Sequence, residues 1–343
     1  LSFLMYRGKI MTKTLDRTKD IFLDTMLLGK EILVKKIKTT NKTKVTVVIA
    51  AFRNITRLKS ILENILKQSF QEFEIIVVDD SSSTEVEEFI STYDSSRLNY
   101  IKKQLGSNSS AKNCALEFAK GEYVVFLEEN IRLKPDYIEN LYGLVIDKSL
   151  DIAILTRDNY SNILGEAVVT GKKYLEEEIK QFKSDLDYNL TSCMFKKKFL
   201  DVYNLRFQED MLSLENLYFK LKTFDIAGKV CQSSRVGYIE LKEEKTVRNQ
   251  AMIDASTRRI MLATEKIEEF KAGKSYENSL NLLCGYLFFD VLRMHDDMAG
   301  EEKLLELIKS KKNYFESDTF ISKAMINMSP ILFANYLNRK DRG

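Results

Sequence analysis

A single histidine, His295, occurs in the 343 residues of this chain. It lies in LRMHDDMAG, so histidine triads and histidine acid/base pairs are poor explanations of its chemistry, and a helix-end surface residue is the plainer reading. The four cysteines, Cys114, Cys193, Cys231 and Cys284, are far apart, with no C-x-x-C spacing and no histidine beside them. That argues against a zinc site. A chain of this length needs no disulfide staples, and a reducing cytoplasm suits it. Neither sign of charge dominates: 53 basic against 50 acidic residues leave +3. No global field or RNA-binding aromatic motif therefore points to nucleic acid. Long apolar runs are missing as well. The most apolar stretch, LNLLCGYLFFDVLRM, is broken by Asn281 and Asp290 and is shorter than the roughly 20 residues a bilayer span needs. The opening LSFLMYRGK lacks a secretory-signal pattern, and a leading Leu ahead of Met5 and Met11 leaves the starting residue open.

What is present is a globular composition, 44% hydrophobic and 30% charged, enough to bury a large core. From Lys44 to about Ile154 the pattern alternates strand and helix. The predicted strands are VTVVIA, FEIIVVDD, LNYIKK, EYVVFLEE and DIAIL, with helices starting near Arg57, Thr84, Ser109 and Pro135. Continuous apolar strands between helices predict an α/β fold with a mainly parallel central sheet covered on both faces. Ser/Thr/Asn groups at 81–84 and 107–110 mark helix starts, and Pro135 suits a first turn.

Around this core, residues 1–43 predict an N-terminal helical arm, helical from about Leu15 to Lys38. Its lysines could rest on an anionic membrane surface or simply face solvent. Residues 44–240 form the predicted main domain. Within it, NYSNILGEAVVTGKKYL reads as an antiparallel excursion, SCMFKKKFLDVYNLRF as a strand, helix and loop, and LENLYFKLKTFDIAG as a helix capped by Gly228. Residues 241–343 predict a helical C-terminal region.

In an open α/β sheet the carboxyl ends of the strands face one crevice. Asp79 and Asp80 end one apolar strand, and Glu128 and Glu129 end another. A carboxylate there can accept from a base edge or ribose hydroxyl, or can cap the next turn. Adjacent glutamates beside a crevice can hold Mg²⁺ or Mn²⁺ with a diphosphate. No G-x-G-x-x-G follows VTVVIA, which argues against a dehydrogenase domain. No Gly-rich phosphate loop opens the domain, which disfavours a nucleotidyltransferase.

The blocks VTVVIAAFRN, ILKQSFQEFEIIVVDDSSS and AKNCALEFAKGEYVVFLEEN with KPD, in that order, resemble the family 2 glycosyltransferases of the GT-A fold over roughly residues 44–240. The likeness is greatest to bacterial enzymes that build cell-surface polysaccharide or teichoic acid. It implies an inverting transferase with a nucleotide-diphosphate sugar as donor, Mn²⁺ or Mg²⁺ as cofactor, and a glycan, polyol-phosphate or lipid-linked acceptor. It implies a cytoplasmic protein and leaves room for membrane contact at the inner face of the cell membrane and for a homo-oligomer.

By the same resemblance, Ala50 and Phe52 sit where the nucleotide base packs, although Phe52 lacks a phenolic hydroxyl. Asp80, with Asp79 beside it, would read the base, and Lys112 would face the donor phosphates with Asn113 following. Glu128, Glu129 and Asn130 overlie the metal-binding acidic motif. The family's helix-opening Glu-Asp pair, which supplies the general base, here reads Glu215 followed by Asn216. An amide cannot take a proton, so Glu215 is the expected base, with Asp210 or Glu209 as substitutes. Lys245 and Arg248 could touch phosphate. The amides at 130 and 216 also motivate a competing reading, a GT-A-fold scaffold or binding module without catalysis.

Overall fold

The computed structural model describes residues 11–12, 23–27, 30–35, 43–51, 55–80, 83–93, 96–103, 106–128, 130–158, 160, 162–182, 188–211, 213–241 and 250–294. Three N-terminal strands, β1 (Met11–Thr12), β2 (Leu23–Leu27) and β3 (Lys30–Lys35), precede β4 (Val45–Ala51), α1 (Ile55–Leu66), β5 (Phe73–Asp79), α2 (Glu85–Ser91) and β6 (Leu98–Lys103). Next come α3 (Asn108–Phe118), β7 (Tyr123–Leu127), β8 (Ile131–Leu133), α4 (Tyr137–Lys148), β9 (Ile152–Arg157) and α5 (Gly171–Phe182). A 3-10 turn (Leu190–Ser192) leads to β10 (Cys193–Lys196), α6 (Lys197–Val202), α7 (Glu215–Ile226), β11 (Val230–Glu240), α8 (Gln250–Lys271) and α9 (Glu277–Met294).

The strands form one sheet in the order β1-β2-β3-β6-β5-β4-β7-β10-β9-β11-β8. β6, β5, β4 and β7 are parallel, β9 and β11 are parallel to each other, and β10 runs antiparallel between β7 and β9. The central strands β4, β5 and β7 are dominated by buried apolar side chains, many of them β-branched, because both of their faces are covered. On one face Val47, Ile49, Ile75, Val77 and Val125 pack in a single core with Leu58, Ile61 and Leu62 of α1 and Tyr137, Ile138 and Leu141 of α4. α3 packs against β4 and β5, and Phe126 meets Phe195 and Phe207 edge-on at 6.1 and 5.0 Å.

The turn into β7 is set by a close approach. A Cβ on Gly121 would lie 2.5 Å from the Thr46 backbone nitrogen, and the Gly121 N–H donates to Thr46 Oγ1 at 2.9 Å. Glu74, buried at the start of β5, accepts from Thr46 Oγ1 (2.8 Å), the Lys120 N–H (2.7 Å) and Asn99 Nδ2 (3.1 Å). This network fixes where β7 starts and hence where it ends.

The N-terminal arm departs from its prediction. Its described residues are strands, with Leu27 opposite Lys30 and β3 continuing onto β6, in place of a helix over 15–38. Thr25, Ile32 and Val34 are β-branched, and only Leu28 and Gly29 separate the paired strands, which is hairpin chemistry. The apolar residues there fit both periods, and pairing with β6 selects the strand. After β9, bridges at Leu164–Glu166 and Val169–Val230 replace full antiparallel strands, and Lys172, Lys173, Tyr174 and Leu175 lie in α5. Gly228 is not a left-handed cap; its N–H donates to Asp151 Oδ2 at 3.0 Å. His295 lies outside the described residues.

The chain divides into two compact units: residues 1–171, 189–209 and 225–243, and residues 172–188, 210–224 and 244–343. The first holds the sheet. The second gathers most of α5, the first turns of α7, and α8 and α9, so the helical C-terminal region recruits two segments from inside the predicted main domain. Its interior includes Ile267, Leu280, Leu283 and Leu287, the Tyr174–Phe224 ring pair at 5.4 Å, and a buried ion pair, Lys220 Nζ to Glu178 Oε1 at 2.6 Å.

Candidate active site

β5 and β7 flank β4 in register, Ala51 opposite Asp79 and Ile49 opposite Leu127. The residues that follow them therefore emerge at one sheet edge, about 10 Å apart across two strand spacings. Asp79 is fully buried and accepts from the Tyr100 hydroxyl at 2.7 Å. Burial first, then this hydrogen bond and the nearby carboxylate charge, push the Tyr100 phenol well above its ordinary pKa. Asp80 is only partly buried, and its Oδ1 accepts the Gly106 N–H at 2.9 Å. Gly106 has φ of +77°, a conformation open to glycine at little cost. It leads into Ser107, whose side chain caps α3 by accepting the Ser110 N–H at 3.1 Å. Asp80 thus ties the β5 tip to the start of α3.

α3 supplies the next two predicted residues. Lys112, only 3% exposed in its side chain, reaches Glu128 Oε1 at 3.1 Å and lies 5.3 Å from the centre of the Phe207 ring. Asn113 is buried against the segment after α6. It accepts the Phe207 N–H at 2.8 Å and donates to the Phe207 carbonyl and to Glu209 Oε1, both at 3.0 Å. Glu209 Oε2 also accepts from Ser110 Oγ at 2.7 Å. Glu128 in turn donates its N–H to Thr191 Oγ1 at 3.2 Å, while the Thr191 carbonyl accepts from buried Tyr137 at 2.6 Å. The latch through Glu209 and the seat at Thr191 carry no sequence signal, since their partners lie 96 and 63 residues away.

The structure therefore brings Asp79, Asp80, Lys112 and Glu128 to one edge of the sheet, with Ala50 buried in β4 beside them. Asn130 is partly buried, and its carbonyl accepts from the Leu241 N–H at 2.8 Å. Glu215 and Asn216 open α7 in the second unit, both partly buried. Asp210 of that unit is paired with Lys266 at 2.8 Å. Phe52, Glu129, Lys245 and Arg248 lie outside the described residues.

Among the described residues no cluster of three His, Cys, Asp or Glu side chains suits a metal. An ion that keeps its waters and binds through one or two carboxylates plus substrate phosphates needs no such cluster. Glu128, at a strand tip with 32% of its side chain exposed, fits that role.

Residues 46–203 match the sequence model described as Glycosyl transferase family 2. This segment is a family 2 glycosyltransferase domain. Among curated relatives, the glycosyltransferase GlyG of Streptococcus pneumoniae is 31% identical over 140 residues, 39% of this chain and 46% of GlyG. The poly(ribitol-phosphate) β-N-acetylglucosaminyltransferase TarS of Staphylococcus aureus is 23% identical over 57% of this chain and 35% of its own length. The chain thus spans less than half the length of these two curated relatives. The fold is that of TarS residues 1–349 in complex with UDP-GlcNAc (TM-score 0.56, 15% identity, 79% of this chain and 81% of that one). It is also that of a mannosyltransferase, PcManGT from Pyrobaculum calidifontis, in complex with GDP-Man and Mn²⁺ (TM-score 0.53, 16% identity, 85% and 81%). The GT-A architecture predicted from the strand blocks is therefore the one observed.

Proposed function

We propose that this chain transfers a sugar from a nucleotide-diphosphate sugar to an acceptor hydroxyl in cell-envelope polymer synthesis, with inversion at the anomeric carbon. The observation that carries the proposal is the convergence of Asp80 and Glu128 on either side of β4 within a family 2 domain. Asp80, at the β5 tip and bonded to the loop before α3, is the proposed reader of the base, with Phe52 stacking on it. Asp79, buried and bonded to Tyr100, anchors the end of β5 next to Asp80. Glu128, with Glu129 and Asn130 next to it in sequence, is the proposed holder of Mn²⁺ or Mg²⁺, which offsets charge on the departing diphosphate. Lys112 exchanges its contact with Glu128 for the donor phosphates. The acceptor oxygen attacks the anomeric carbon, the bond to diphosphate breaks with its electron pair, and Glu215 takes the hydroxyl proton. Asn216 cannot share that work.

The relatives' names support a glycan or polyol-phosphate acceptor, and a nucleotide-sugar donor supports a cytoplasmic site of action. Among the described residues no helix is long and apolar enough to cross a membrane.

The test is nucleoside diphosphate release from a panel of UDP-, GDP- and dTDP-sugars with Mn²⁺, alongside calorimetric titration of the nucleotides. Turnover of one donor is expected, with Asp80→Ala weakening nucleotide binding by about ten-fold or more. Inertness toward every donor together with absent nucleotide binding overturns the proposal and favours the scaffold reading that the amides at 130 and 216 motivate.

A further inference from the structure

β9 is separated from β7 only by the antiparallel β10, so β9 and β7 point the same way. Met194 of β10 lies opposite both Val125 and Ala153. Following those rows outward puts Glu128 level with Thr156, two strand spacings or about 10 Å across, with Arg157 one residue beyond. Asp79 and Asp80 leave the edge on the other side of Glu128. Whatever the donor's base occupies, Arg157 stands at the opposite end of the crevice.

The group around Arg157 is built and held. The Tyr160 N–H donates to the Arg157 carbonyl at 3.2 Å, closing a turn, and that turn folds the Tyr160 ring over the guanidinium, 3.6 Å from the ring centre. Asp158 is tied to β11 through its N–H to the Tyr238 carbonyl at 3.1 Å. Arg157 also pairs with Glu240 at the end of β11; its side chain is 15% exposed and that of Glu240 48%. Glu240 lies opposite Ile131, and the next residue, Leu241, is bonded to Asn130 on the stretch after Glu128.

We infer that Tyr160, Arg157 and Glu240 form a carbohydrate subsite on the acceptor side of the crevice, which takes an uncharged, hydroxyl-rich ring or polyol segment. This rests on the glycosyl-transfer reading above. A sugar or polyol presents hydroxyls that both donate and accept. The trio offers guanidinium donors and the two oxygens of one half-exposed carboxylate in one place, with the Tyr160 ring stacked on the guanidinium to hold them. The stacked and paired arginine holds these groups in position before a ligand arrives, which lowers the ordering cost of binding. The exposed carboxylate repels phosphate and so selects a neutral segment.

Ligand-observed saturation-transfer NMR on the UDP- or GDP-saturated full chain tests this, with glucose, N-acetylglucosamine, ribitol and inorganic phosphate as probes. At least one neutral probe is expected to bind, about ten-fold more weakly in Glu240→Ala and Tyr160→Ala, with nucleotide affinity by calorimetry unchanged. Glu240→Gln, which keeps an acceptor oxygen on an exposed side chain, is expected to fall between and serves if Tyr160→Ala fails to fold. Neutral probes that ignore the Glu240 variants, bind nowhere while nucleotide binds, or yield to phosphate alone overturn the inference. A wild-type chain that binds neither UDP nor GDP overturns the glycosyl-transfer reading along with it.

Discussion

Asp79 and Asp80 adjoin in sequence and part in role because one strand residue turns inward where the next turns outward. Asp79 accepts the buried Tyr100 hydroxyl. Replacing it with alanine leaves that hydroxyl without its carboxylate partner, an expected loss of about 1–3 kcal/mol, read as a lower urea midpoint. The same pair sets an alkaline limit. The folded Tyr100 phenol has a raised pKa, so its neutral form is favoured in the fold. Its contribution is complete below the free phenol's value of about 10 and is lost as pH rises beyond it. The urea midpoint of the wild type should fall more steeply above about pH 10 than that of Tyr100→Phe.

At the scale of elements, α3 is held to the segment after α6 chiefly by the Asn113 amide, with Ser110 donating to Glu209 beside it. Asn113→Ala orphans both backbone groups of Phe207 and one oxygen of Glu209. The expected cost is at least about 2 kcal/mol, and Lys112 should lose its setting on Glu128 with it, seen as weaker nucleotide binding. In the second unit, α5 and α7 meet through Lys220 and Glu178, exposed by 3% and 4%. Lys220→Met strands a buried carboxylate, about 3–5 kcal/mol of destabilisation, and the double variant with Glu178→Leu should recover most of it. Thermal or urea unfolding of both variants decides the point.

For the whole molecule, nucleotide binding should register as global stability, since a ligand at one hundred times its Kd adds about 2.7 kcal/mol. Thermal unfolding with UDP, GDP and Mn²⁺ therefore ranks donors without an acceptor in hand. Each addition that raises the midpoint should lose its effect in Asp80→Ala. The division into two units carries a related consequence. α7 begins in the unit of α8 and α9 and ends in that of the sheet, so truncation after Glu243 should destabilise the fold around Glu215 as well as remove the C-terminal helices. Limited proteolysis of the shortened chain, with faster cleavage within 210–224, checks this.

The parallel core, its helices on both faces and the acids at its strand tips were legible in the order of residues. Burial on two faces demands unbroken apolar runs, and chain direction alone places Asp80 and Glu128 at a common edge. The sequence left open which acid turns inward, that Lys112 rests on Glu128, and that Glu209 is spent on Asn113 and Ser110. The same holds for Arg157 finding Glu240 and for the strand outcome of the N-terminal arm. Each of these depends on partners many residues distant, or on a pairing edge that a local period does not reveal. Packing, which brings them within hydrogen-bond reach, is a property of the folded chain.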